Sequence, residues 1–133
     1  MTLDASVLDI LQETDIVAAR SRGKELARAM GFGMVDQTRI ATGISELARN
    51  ILQYARKGRI QLRSLSESGR AGLEIVAEDE GPGIPHINAV LDGTARSPRG
   101  LGLGILGTRR LMDEFEVRTE AGQGTRVRCV KWL

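Results

Sequence analysis

The sequence has no apolar run near the roughly 20 residues that a membrane helix needs, so it is expected to be a soluble protein. Aromatic residues make up only 3%, which leaves few platforms on which bases could stack. The 19 basic and 17 acidic residues are scattered along the chain for a net charge of +2, without the one-sided clustering of a nucleic-acid interface. Cys129 is the only cysteine, which excludes an internal disulfide and a cysteine-based zinc site and agrees with a reducing compartment. Its alternation with Val127 reads as core filler. The start, Met1 to Val7, carries an early acid and no basic flank, so no secretory signal is expected and the location is read as cytoplasmic. Only three prolines stand against 16 glycines, and those glycines concentrate in the second half, where they must serve backbone geometry.

The length of 133 residues fits one core and not two, so residues 1–133 are expected to form a single domain. Leu3 to Ile10 has strand character, and Glu13-Thr14-Asp15 offers a cap for a first helix from Asp15 to Met30. Gly31-Phe32-Gly33 breaks it, and Asp36 can cap a second helix over Gln37 to Arg56. There Ile40, Ile44, Leu47 and Ile51 recur at the spacing of a core-facing stripe. Two strands are predicted at Arg59 to Leu65 and Leu73 to Asp79, joined by a hairpin loop from Ser66 to Gly72. A loop follows, with a short helical piece between His86 and Leu91 and a glycine-rich, unpatterned stretch from Asp92 to Gly104. A third long helix is predicted from Ile105 to Glu114, then strands Phe115 to Ala121 and Thr125 to Trp132 around the turn Gly122-Gln-Gly124. This order predicts an α+β two-layer sandwich, a mixed and mostly antiparallel sheet with helices on one face.

Four segments could carry chemistry. Glu46 and Asn50 are one helical turn apart on one face, away from the apolar stripe. They read equally as a solvated face or as a carboxylate and an amide placed to hold Mg²⁺. Asp79-Glu-Gly81-Pro-Gly83 ends an apolar strand. An acid before a Gly-Pro-Gly turn lets a flat ligand approach closely while the carboxylate accepts its hydrogen bonds, as an adenine amino group would require; a plain capped turn is the alternative. Gly100-Leu-Gly102-Leu-Gly104-Ile-Leu-Gly107 opens the third long helix, where free N–H groups favour phosphate. The embedded Gly102-Leu-Gly-Ile-Leu-Gly107 matches the dinucleotide fingerprint with Glu120 beyond it. However, no buried strand precedes it and too little chain follows Glu120, and the Lys-Ser/Thr ending of a P-loop is missing. Gly122-Gln-Gly124-Thr125 reads by itself as a hairpin turn.

Taken in order, Glu46-Leu-Ala-Arg-Asn50, Asp79-Glu-Gly-Pro-Gly83, Gly100-Leu-Gly-Leu-Gly104 and Gly124-Thr125 resemble the N, G1, G2 and G3 boxes of the GHKL ATPase and kinase superfamily, related to anti-sigma-factor kinases. Phrases such as Asp15-Ile-Val-Ala-Ala-Arg20, Ile44-Ser-Glu-Leu-Ala-Arg-Asn50 and Arg110-Leu-Met-Asp-Glu-Phe115 resemble RsbT-type serine/threonine switch kinases of the bacterial stressosome over the whole chain. The resemblance implies the Bergerat fold and an ATP- and Mg²⁺-dependent protein kinase. Glu46 would be the general base, Asn50 would bind the metal, and Asp79 would take the adenine amino group. Gly81 and Gly83 would give the ring room, with Thr125 on the adenine edge. Gly100, Gly102 and Gly104 would wrap the phosphates beneath a lid from His86 to Arg99, with Arg96 or Arg99 near the γ-phosphate. It further implies serine or threonine acceptors on STAS-domain scaffold proteins and release of the kinase to activate a downstream signalling enzyme. A nucleotide-gated binding module of anti-sigma-factor type is the alternative.

Overall fold

The computed structural model describes residues 5–84, 87, 92 and 101–133. In chain order the elements are β1 (Ala5–Ile10), α1 (Glu13–Met30), α2 (Met34–Tyr54), β2 (Gly58–Glu67), β3 (Arg70–Asp79), α3 (Leu101–Leu111), β4 (Glu114–Glu120) and β5 (Gly124–Trp132). The five strands form one sheet in the order β1-β2-β3-β5-β4, and every pairing is antiparallel. Residues 1–4, all but residue 87 of the short helical piece read between His86 and Leu91, and most of the glycine-rich stretch lie outside the described residues.

The helix starts and turns follow from local chemistry. Helix α1 begins two residues before the expected Asp15, because Asp15 caps from inside: its Oδ2 accepts the N–H groups of Leu11 (2.9 Å) and Gln12 (3.1 Å). Helix α2 likewise starts at Met34 and not at Gln37, and it ends at Tyr54. The hairpin between β2 and β3 is tighter than the seven-residue loop expected. Pairing runs out to Glu67 and Arg70, and Ser68 and Gly69 turn the chain with φ of 53° and 79°. Positive φ at both central residues matches the twist of the flanking strands, and glycine adopts it without steric cost. Helix α3 starts at Leu101, before the expected Ile105, so Gly102 and Gly104 are helical and not in a loop.

The core lies between the sheet and the helices. Ile40, Ile44, Leu47 and Ile51 of α2 are buried with Ile60 and Leu62 of β2, Leu73 and Ile75 of β3 and Cys129 of β5. Each such aliphatic side chain contributes ~1.5–3 kcal/mol when fully buried. Small residues bring the helices close. A methyl group on Gly23 of α1 would strike Ile44, and one on Gly43 of α2 would sit 2.6 Å from Met112. Helix α2 is therefore flanked by α1 and α3 as well as backed by the sheet. Cys129 is the core filler that its alternation suggested, and burial pushes its thiol up to about 12, which keeps it protonated and unreactive.

The other sheet face is sealed by charge. Glu74, only 9% exposed, accepts from Arg63 (2.9 Å) and Arg128 (2.7 Å), beside the buried Val76 and Val130 of the same face. At its far corner the Arg70 guanidinium lies 5.0 Å over the Trp132 ring, whose indole N–H donates to Glu114 (2.6 Å). No helix among the described residues is long and apolar enough to cross a membrane.

Candidate nucleotide site

The site forms at one end of the sandwich, where β3 ends, β5 begins, α2 finishes and α3 starts. Asp79 is the last residue of β3 and pairs across the sheet with Thr125, which in turn pairs with Thr119 of β4. Since alternate strand residues share a face, the three form one row on the helix side. The Asp79 carboxylate accepts the Gly81 N–H at 2.9 Å and the Thr125 backbone N–H. Burial nevertheless outweighs these two bonds, so its pKa is raised above the ordinary 3.8.

Gly81 and Gly83 hold the loop after Asp79 against its neighbours. A Cβ on Gly81 would lie 2.6 Å from the Ala55 Cβ, and one on Gly83 would lie 2.6 Å from the Glu120 carbonyl oxygen. Gly83 also has a φ of 84°, so a side chain there would be both strained and crowded. Asp79 and Gly83 line a pocket together with Asn50 and Tyr54 of α2, Ile105 of α3 and Thr125 of β5. Its volume is about 30 Å³, which holds a water molecule and is less than a purine needs.

Glu46 and Asn50 share one face of α2. Their face of α2 points at the first turn of α3, not at bulk solvent. A Cβ built on Gly104 would come within 3.2 Å of the Glu46 Oε2, 3.3 Å of the Asn50 Oδ1 and 3.4 Å of its Nδ2. Glu46 remains 35% exposed, and its Oε1 accepts from Arg49 at 2.9 Å. Asn50 Nδ2 and Tyr54 Oη are buried without a hydrogen-bond partner. A buried donor without a partner costs about 1–3 kcal/mol, so two of them facing one pocket mark a place where a polar ligand would be stabilised.

Sequence reasoning missed Tyr54. The signal was present, since Glu46, Asn50 and Tyr54 repeat at intervals of four and so stack along one helical stripe. Gly102 lies on α3, while Gly100, His86, Arg96 and Arg99 fall outside the described residues. Thus Glu46, Asn50, Asp79, Gly81, Gly83, Gly104 and Thr125 are gathered at one end.

Among the described residues no three His, Cys, Asp or Glu side chains are grouped to hold a metal. Mg²⁺ often takes one or two protein ligands and fills its shell with phosphate and water. The partnerless amide of Asn50 suits that donor set, because the assignment of O and N on an amide is interchangeable and either atom can face the pocket.

Comparison with known proteins agrees with this geometry. Residues 11–131 match the family model of the histidine kinase-like ATPase domain. The chain is 51% identical to the serine/threonine-protein kinase RsbT of Bacillus subtilis over 130 residues, 98% of each protein. It is 29% identical to the anti-sigma F factor of Caldanaerobacter subterraneus over 100 residues, 71% of this chain and 68% of that one. Among solved structures, the SiaB-SiaC complex of Pseudomonas aeruginosa has a chain alike in fold at a TM-score of 0.55 and 11% identity, over 99% of this chain and 91% of that chain. The histidine kinase AdeS of Acinetobacter baumannii follows at 0.51 and 16%, over 98% and 68%. The chain belongs to the histidine kinase-like ATPase family and, within it, to the serine/threonine-protein kinases of the RsbT type.

Proposed function

We propose that this kinase transfers the γ-phosphate of ATP to a serine or threonine hydroxyl on a STAS-domain scaffold protein in the cytoplasm, and that the kinase then leaves to activate a downstream signalling enzyme of a stress-response pathway. The observation that carries this reading is the arrangement around Gly104. A partly exposed carboxylate (Glu46), a partnerless buried amide (Asn50) and the start of a helix converge beside the Asp79 pocket.

Phosphoryl transfer depends on positioning and charge neutralisation more than on covalent help. Asp79 would accept the adenine amino group while its backbone bonds hold the carboxylate in place. Tyr54 and Asn50 would gain the partners they lack. Gly102 and Gly104, with Gly100 ahead of them, would bring backbone N–H groups of the α3 start to the phosphates. Asn50 would hold Mg²⁺, which supplies charge neutralisation on the phosphate oxygens. Glu46 would take the proton of the incoming hydroxyl, and its exposed edge leaves room for a protein substrate. Arg49 would orient this carboxylate through its hydrogen bond.

Transfer of labelled γ-phosphate to a STAS partner tests the catalytic role. Glu46→Gln should abolish transfer and keep Mg-ADP binding; transfer at the wild-type rate would remove Glu46 from the mechanism. The similarity to an anti-sigma factor favours one second reading, a nucleotide-gated binding module. Partner release with a non-hydrolysable ATP analogue as fast as with ATP would favour that alternative.

A further inference from the structure

Thr119 takes no part in the boxes described above, and it sits on β4 directly across from Thr125. Its hydroxyl is nevertheless the meeting point of three segments. The Ile84 N–H donates to Thr119 Oγ1 at 2.8 Å, the Gly124 carbonyl lies 3.2 Å from it, and Thr125 Oγ1 lies 3.0 Å from it. The loop from Asp79 is pressed onto the same place, since a Cβ on Gly83 would lie 3.1 Å from this oxygen. A further bond of 3.0 Å runs from the Gly122 N–H to the Pro82 carbonyl.

Only one proton assignment makes all three contacts hydrogen bonds at the same time. A threonine hydroxyl has one proton and two lone pairs. An amide N–H can only donate, so Ile84 uses one lone pair of Thr119. A carbonyl can only accept, so Gly124 takes the Thr119 proton. One lone pair is left, and Thr125 satisfies it only by donating its own proton. That turns the Thr125 hydroxyl into an acceptor on its pocket side, beside the Asp79 carboxylate, which accepts only.

We propose that Thr119 is a positioning residue that fixes the Thr125 hydroxyl as an acceptor and so makes the pocket select a 6-aminopurine over a 6-oxopurine. The inference rests on the reading that this pocket takes an adenine nucleotide. Two neighbouring acceptors match an exocyclic amino group, or a water that it holds, and face a 6-oxo oxygen with lone pairs. The Ile84 bond adds a second consequence, because the same hydroxyl anchors the wall of the pocket on the side of the Asp79 loop.

Calorimetry with Mg-ADP and Mg-IDP tests this on the full chain. Thr119→Val, close in shape but without the hydroxyl, should weaken ADP about five- to tenfold and reduce the ADP-to-IDP preference by a similar factor, the scale of one lost hydrogen bond. Thr119→Ala should behave alike, which guards against a folding defect peculiar to valine. Thr119→Ser should stay within about twofold of wild type on both counts, since it restores the hydroxyl. An unchanged ADP-to-IDP preference in Thr119→Val would overturn the proposal, whether or not both affinities fell together, and so would a serine variant as impaired as the valine one. Asp79→Asn separates the two levels of the argument. If it weakens ADP while Thr119→Val changes nothing, only the role of Thr119 falls; if the wild-type protein fails to bind Mg-ADP, the nucleotide reading falls with it.

Discussion

Gly104→Ala should separate stability from activity in opposite directions. Gly104 is buried inside α3, and its Cβ position faces the Glu46 carboxylate and the Asn50 amide at 3.2–3.4 Å. An alanine inside a helix is favoured over glycine by about 1 kcal/mol. Against this, the new methyl group forces its neighbours to give by a few tenths of an ångström. Glu46 is partly exposed and can yield, while the Asn50 amide is buried and yields less. The balance is a stability change between zero and about +1 kcal/mol, which for a domain of this size is a rise in Tm of up to about 4 °C. Function should move the other way. The methyl group would occupy the gap between α3 and the two polar residues, and a misplacement of about 1 Å in such a site costs on the order of a hundredfold in rate. A roughly tenfold or greater loss of phosphotransfer is expected, with Tm unchanged or raised. Full activity at unchanged Tm would refute the placement of the phosphates beside Gly104. A fall in Tm of more than about 5 °C would show that crowding, not helix propensity, decides the outcome.

Two further perturbations probe the pocket and the opposite sheet face. Because burial raises the Asp79 pKa, its contribution to stability is full below the unfolded value near 3.8 and is lost as pH rises through the folded value. Asp79→Asn should therefore leave the free protein as stable or more stable at neutral pH while weakening ADP, and wild-type ADP affinity should fall from neutral to acidic pH more steeply than that of the variant. Calorimetry at neutral and at acidic pH measures both, and parallel pH dependence would remove Asp79 as the acceptor. Glu74→Ala should lower stability by about 1–2 kcal/mol in urea unfolding, less than for a fully buried pair because Arg63 and Arg128 are partly exposed and can rehydrate. ADP affinity should not change, since Glu74 lies on the other face of the sheet. An unaltered unfolding midpoint would show that this charge cluster contributes nothing.

The parts of this molecule legible from its sequence are those that repeat at short range. The apolar stripe of α2, the apolar run of β3 and the alternation of β5 are local signals, so the elements and the core residues Ile40, Ile44, Leu47, Ile51 and Cys129 could be read directly. The boundaries that shifted did so through contacts the periods do not encode. Asp15 caps α1 by reaching backwards, and Ser68 and Gly69 close their hairpin through φ values that no hydrophobic pattern reports. The site was legible only as separate segments. The sequence does not show that α3 lies against Glu46 and Asn50, because that contact depends on a residue more than fifty positions away having no side chain. Thr119 was invisible for a related reason. Its importance comes from standing in the same cross-strand row as Asp79 and Thr125, a row fixed by the register of three antiparallel strands and not by any spacing along the chain. A residue of that kind can be found only by following each partly buried hydroxyl to the partners of its one proton, which is why the selectivity of the pocket is expected to depend on a threonine that does not line it.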